Sequence, residues 1–100
     1  MHKLLVLYPH PRDPEAFREY YETTHLPLAA QLPGVLAWRY SFDVHGEPES
    51  PYFAIFEAEF ADAEALAAAM ASPEGKAVQA DVPNYATGGA VVLDYPLVTR

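Results

Sequence analysis

The chain has 100 residues, of which 51% are hydrophobic and 13% aromatic, and its six Lys and Arg stand against fourteen Asp and Glu for a formal net charge of −8. That charge has the wrong sign for gripping phosphate backbones or anionic lipid, so nucleic acid and membrane surfaces are poor partners. The lack of cysteine removes disulfide scaffolds, thiolate metal sites, iron–sulfur clusters and thiol nucleophiles.

The length is that of one domain, residues 1–100, with little room for a ligand inside a monomer. The generous apolar content therefore points to surface hidden by a partner. Met1-His2-Lys3 and the run to Tyr8 reach Pro9 too soon for a signal-peptide core, and the default expectation is a cytoplasmic protein.

Leu4 to Tyr8 is a continuous apolar run stopped by Pro9 and Pro11, which reads as a strand buried on both faces. Asp13 is a good N-cap and Pro14 a good first helical residue. From there Phe17, Tyr20, Tyr21, Thr24 and Leu28 recur at helical spacing opposite Glu15, Arg18, Glu19 and Glu22. After the Pro33-Gly34 turn, Leu36, Trp38, Tyr40, Phe42 and Val44 alternate with small or polar residues, a second strand.

The acidic, proline-rich loop 45–51 separates it from a third strand, Tyr52 to Phe60. Its even positions form one face, and Phe53, Ile55, Glu57 and Glu59 the other. Asp62 caps an alanine-rich helix through Met70, Ser72-Pro73-Glu74 opens a short helix running to Asp81, and 81–89 reads as loop. Ala90 to Tyr95 alternates again as a fourth strand.

The order β-α-β-β-α-β predicts an α+β domain, a four-stranded antiparallel sheet with ferredoxin-like connections and helices on one face. Strands one, three and four are apolar on both faces, so the uncovered face calls for a second sheet, supplied most simply by an identical chain. Hiding on the order of 800 Å² per chain there contributes about 10 kcal/mol per protomer before association costs. The expected small-molecule cavity is one shared by the two copies.

The segment Tyr20 to Leu28 carries the most chemistry. Pro27 lacks the amide that Thr23's carbonyl needs, so the helix should kink or end there. His25 falls at the margin of the apolar stripe, one turn beyond Tyr21, with its ring projecting toward the sheet. An imidazole there is placed for general acid or base work, or else simply satisfies freed carbonyls or a tyrosine hydroxyl. Arg39 and Asp94 sit mid-strand and are expected to pair. Tyr8, Tyr21, Trp38 and Tyr40 are the candidates for lining an aromatic-binding cavity. His2, His10, His25 and His45 lie on four different elements without metal-ligand spacing, and no glycine-rich phosphate loop is present.

The residues Tyr8-Pro9, Asp13 to Phe17, Tyr20 to Leu28 with its Thr24-His25-x-Pro27 step, and Leu32 to Val35 resemble the EthD family, named for ethyl tert-butyl ether degradation, within the dimeric α/β-barrel superfamily. The resemblance spans most of the chain in element order, and its specific part is residues 8–34. It implies a ferredoxin-like protomer that packs sheet to sheet on its two-fold mate.

The wider superfamily includes cofactor-free monooxygenases, isomerases, cyclases and haem-binding members, so the resemblance implies no single reaction. The expected function is binding of a small apolar or aromatic metabolite. His25 would serve as the catalytic residue of a cofactor-independent monooxygenase, isomerase or cyclase, with no cofactor or metal. The alternatives are a non-catalytic accessory protein for an oxygenase pathway and, third, a haem binder using His25.

Overall fold

The computed structural model describes residues 1–99. Four strands, β1 (His2–Pro9), β2 (Ala37–Phe42), β3 (Tyr52–Phe60) and β4 (Val91–Pro96), form one sheet in the order β2-β3-β1-β4, and all three pairings are antiparallel. Helices α1 (Pro14–Tyr20) and α2 (Leu26–Ala29), joined through a π-helical turn at Tyr21–His25, link β1 to β2. Helices α3 (Ala63–Ala71) and α4 (Pro73–Asp81), with a 3-10 turn at Val82–Asn84, link β3 to β4. This is the ferredoxin-like arrangement that the element order predicts.

The helix starts follow capping chemistry. Asp13 accepts from the Ala16 amide at 3.1 Å, Asp62 from Ala65 at 2.8 Å and Ser72 from Gly75 at 3.0 Å, each satisfying an amide that has no partner within its helix.

Residues directly opposed in an antiparallel ladder share a face. The register therefore puts Leu4, Val6 and Tyr8 with Phe56, Tyr40 and Val92 on one side. The helices cover that side, where Leu4, Tyr8, Ala54, Phe56, Ala58 and Phe60 are buried. Leu5, Leu7, Ile55, Leu93 and Tyr95 point the other way, and Leu93 and Tyr95 remain 47% and 39% exposed.

The open side also carries two ion pairs, Lys3 with Glu57 at 2.7 Å and Arg39 with Glu59 at 3.5 Å. Arg39 and Asp94 thus do not pair: they sit on opposite faces, and Asp94 instead meets His2 at 2.8 Å.

One further expectation is revised. Phe53 does not stay on the open face, because the β1–β3 register shifts between Tyr8 and Pro9. Its ring instead packs against Phe17 and Phe42, at centroid separations of 5.4 and 5.8 Å. At Pro27, where the sequence left a kink or an end open, the helix is interrupted by a widened turn and then continues. The core is consequently lopsided: Tyr8, Phe17, Tyr21, Phe53 and Tyr85 interlock edge to face at one end of the sheet, whereas the alanine-rich α3 lies over the other.

Candidate functional site

The site begins with the accommodation of Pro27. In a regular helix its ring would press on the Thr23 carbonyl and leave it without a donor. Here the widened turn lets the Leu26 amide reach back five residues to the Tyr21 carbonyl, and the helix resumes as α2 with Pro27 in its first turn. The Thr23 hydroxyl donates to the Glu19 carbonyl at 2.7 Å. Through this turn Tyr21 and His25 are both buried and stack at 5.2 Å, and the Tyr85 ring closes on His25 at 4.6 Å.

His25 Nδ1 lies 2.9 Å from Oδ2 of Asp81, the last residue of α4. The other oxygen of Asp81 accepts from the Tyr20 hydroxyl at 2.6 Å and from the Asn84 amide at 3.0 Å. Burial alone would raise the Asp81 carboxyl, but the hydrogen bonds from Tyr20, Asn84 and His25 outweigh it and hold the group below the ordinary carboxylate range. A carboxylate only accepts, so the proton it faces resides on Nδ1. Burial pushes His25 below its usual value, and the hydrogen bond and charge of Asp81 only partly oppose this, so the ring is neutral at pH 7.

Among the described residues the second nitrogen, Nε2, has no partner, whereas every sealed side-chain nitrogen or oxygen does have one. Nε2 is therefore not sealed, and His25 is one of the residues that line a neighbouring cavity.

This cavity, of about 580 Å³, lies within one chain, between the covered face of the sheet and the helices. Its floor is Leu4, Val6, Tyr8, Phe56 and Val92. Its roof is Ala63, Leu66, Ala67 and Met70 of α3 with Val78 and Gln79 of α4. The sequence placed the cavity on the sheet face shared by two copies; this one lies on the helix side of one chain. Alanine side chains on α3 are too short to fill the space down to the sheet, so even a small domain keeps a hollow.

The four candidate lining residues part company. Tyr8 lines the cavity together with His25. Tyr21 is sealed behind His25. Trp38 and Tyr40 stack along β2 outside it, with Trp38 on Phe56 at 6.2 Å and the Tyr40 hydroxyl donating to Glu22 at 2.6 Å. The Tyr8 hydroxyl shares a 2.8 Å hydrogen bond with that of Tyr85 and receives one from Tyr21 at 3.5 Å. Burial foremost pushes all three phenols upward, so they stay protonated.

Asp81 is the residue that sequence reading missed. Its only signal was a carboxylate ending a helix that closes on the Thr24-His25-x-Pro27 segment. A second hollow carries His10, Asp43, His45, Glu47 and Glu49, but among the described residues no three such side chains gather to hold a metal ion.

A ferredoxin-like domain with a buried histidine–carboxylate pair beside a largely apolar cleft between sheet and helices is the class that fold and site define. The chain belongs to the EthD family: the model of the EthD domain matches residues 10–89. It is 39% identical over 95 residues to an uncharacterised 11.0 kDa protein in the thcB-thcC intergenic region of Rhodococcus erythropolis, covering 93% of this chain and 91% of that one.

The crystal structure of an EthD family protein from Bacillus halodurans superposes with a TM-score of 0.90 at 33% identity, covering 98% of this chain and 99% of the other. A dimeric ferredoxin-like protein of unknown function from Thermobifida fusca matches at a TM-score of 0.74 and 16% identity, over 96% and 90% of the two chains, and shares the fold.

Proposed function

We propose that the chain is a cofactor-independent enzyme that removes a proton from a small, largely apolar or aromatic metabolite, with His25 as the base, Asp81 as its positioning residue and Tyr8 at the cavity wall. The observation that carries this reading is the 2.9 Å contact of His25 Nδ1 with Asp81, which leaves the lone pair of Nε2 for the cavity. A neutral imidazole beside apolar walls accepts a proton from a weak C–H or O–H acid. Asp81 then stabilises the imidazolium that forms.

Such a step begins isomerisation, cyclisation, or oxygenation of a phenolate. These reactions share the first proton transfer and diverge only after it. A second copy of the chain fits the open sheet face, where Leu5, Leu7, Ile55, Leu93 and Tyr95 lie uncovered; the Thermobifida fusca protein of this fold is dimeric.

The test uses beta-tetralone, whose activated methylene exchanges with D2O in a manner read by proton NMR. Intact protein is expected to accelerate exchange above buffer, and His25→Gln to lose about two to four orders of magnitude of that acceleration while retaining its fold. Undiminished exchange in His25→Gln contradicts the reading. Binding of the ketone without accelerated exchange favours instead the alternative of a non-catalytic accessory protein.

A further inference from the structure

We infer that the cavity selects ligands bearing a hydrogen-bond donor at each end of an apolar body, and turns away ligands whose far end is a carboxylate. The inference deepens the proposed proton-abstracting function and rests on it. Among the described residues, four polar side chains line the cavity: Tyr8, His25, Gln79 and Asp94. Apart from the Tyr8 hydroxyl, what they offer a ligand is acceptors.

His25 Nδ1 is committed to Asp81, so Nε2 presents a lone pair. The Gln79 amide nitrogen already donates to the carbonyls of Met70 at 3.0 Å and Gly75 at 2.9 Å, which leaves its carbonyl oxygen. Asp94 receives His2 on Oδ1 at 2.8 Å, while Oδ2 takes no donor among the described residues.

These acceptors are held far apart by the strand. His25 sits at the Tyr8 end of β1, since the Tyr85 that packs on its ring also holds the Tyr8 hydroxyl. Asp94 is directly opposite Leu4 on the same face. Tyr8 and Leu4 are four residues apart, about 13 Å at roughly 3.3 Å per residue. Between them the floor is Val6 with its cross-strand neighbours Phe56 and Val92, wholly apolar.

A body of two aromatic rings spans most of that length. A hydroxyl at its near end donates to Nε2, and one at its far end reaches Asp94. A far-end carboxylate would bring like charges together in a cavity that offers it no cation among the described residues, within a chain of net charge −8.

Calorimetric titration of the intact protein with three biphenyl probes tests this. One carries a single para hydroxyl, one carries para hydroxyls at both ends, and one has a para hydroxyl at one end and a carboxylate at the other. The doubly hydroxylated probe is expected to bind about tenfold more tightly than the singly hydroxylated one, and the carboxylate probe at least about tenfold more weakly.

Asp94→Asn keeps an acceptor for His2 on a side chain that is 55% exposed, so the fold is retained. It should shrink both gaps to about twofold or less. Equal binding of the three probes, or gaps that survive Asp94→Asn, overturns the end-group rule and leaves the base reading of His25 standing. No binding by any of the three overturns the rule and the cavity reading together.

Discussion

At the scale of single residues, His25 and Asp81 form a pair in which each decides the other's state. Asp81 raises His25 while burial lowers it, and burial wins. Replacing Asp81 with Asn removes the opposing influence, so the His25 midpoint in an NMR titration is expected to move further down. The Tyr20 and Asn84 donors also lose their charged acceptor, at a cost of about 1–3 kcal/mol in denaturant unfolding.

The pH dependence has a definite sign. The unfolded chain takes up a proton at His25 near the ordinary value of 6.5, whereas the folded ring resists it until a lower pH. Stability from this group is therefore complete above that value and lost as pH falls below it. Urea midpoints compared between pH 7.5 and pH 5.5 should drop in the wild type and drop less in His25→Gln. His25 itself was legible in the sequence because a helical stripe and a proline two residues later bracketed it. Asp81 was not, because its partner lies 56 residues away and only the packing of α4 against the widened turn joins them.

At the scale of elements, the cavity depends on how α3 and α4 cross above the sheet. A Cβ on Gly75 would collide with the Ala69 carbonyl and come within 2.7 Å of Met70 Cα, both parts of the α3 backbone. Gly75→Ala must therefore push the two roof helices apart. The expected loss is about 2–4 kcal/mol in denaturant unfolding, with weakened probe binding because Met70 and Val78 shift together.

Alternation and capping residues made the strands and helix starts readable: Asp13, Asp62 and Ser72 all cap where the pattern placed them. Two features escaped that reading. The helix passes Pro27 through a π turn because a wider turn tolerates the missing amide, and Phe53 crosses to the covered face because a register shift breaks the period of two. The run of alanines in α3 was legible as helix, but its consequence, an unfilled space beneath it, requires the distance between helix and sheet, which pattern alone does not contain.

At the scale of the whole molecule, the two faces of the sheet divide the labour. One lies beneath the helices and floors the cavity within a single chain. The other offers Leu93 and Tyr95 on an edge strand, with the Lys3–Glu57 and Arg39–Glu59 pairs beside the apolar centre. Pairing that open face with a second copy predicts that Leu93→Glu, which places a charge in the middle of the contact, yields monomers by light scattering where the wild type gives dimers. Because the cavity lies on the far side, the monomer should retain probe binding within about threefold.

The open sheet face was legible in strands apolar on both faces. The place of the cavity was not, because composition reports how much apolar surface exists and not which layer encloses it.

The central claim, a neutral histidine whose free nitrogen faces an apolar cavity, is met most directly by nitrogen NMR of protein labelled at its histidines. His25 should carry its proton on Nδ1 at pH 7, titrate below 6.5, and show its Nε2 resonance shift when the singly hydroxylated biphenyl is added. A proton on Nε2, or a ring that ignores a phenol bound in stoichiometric amount, would contradict the account.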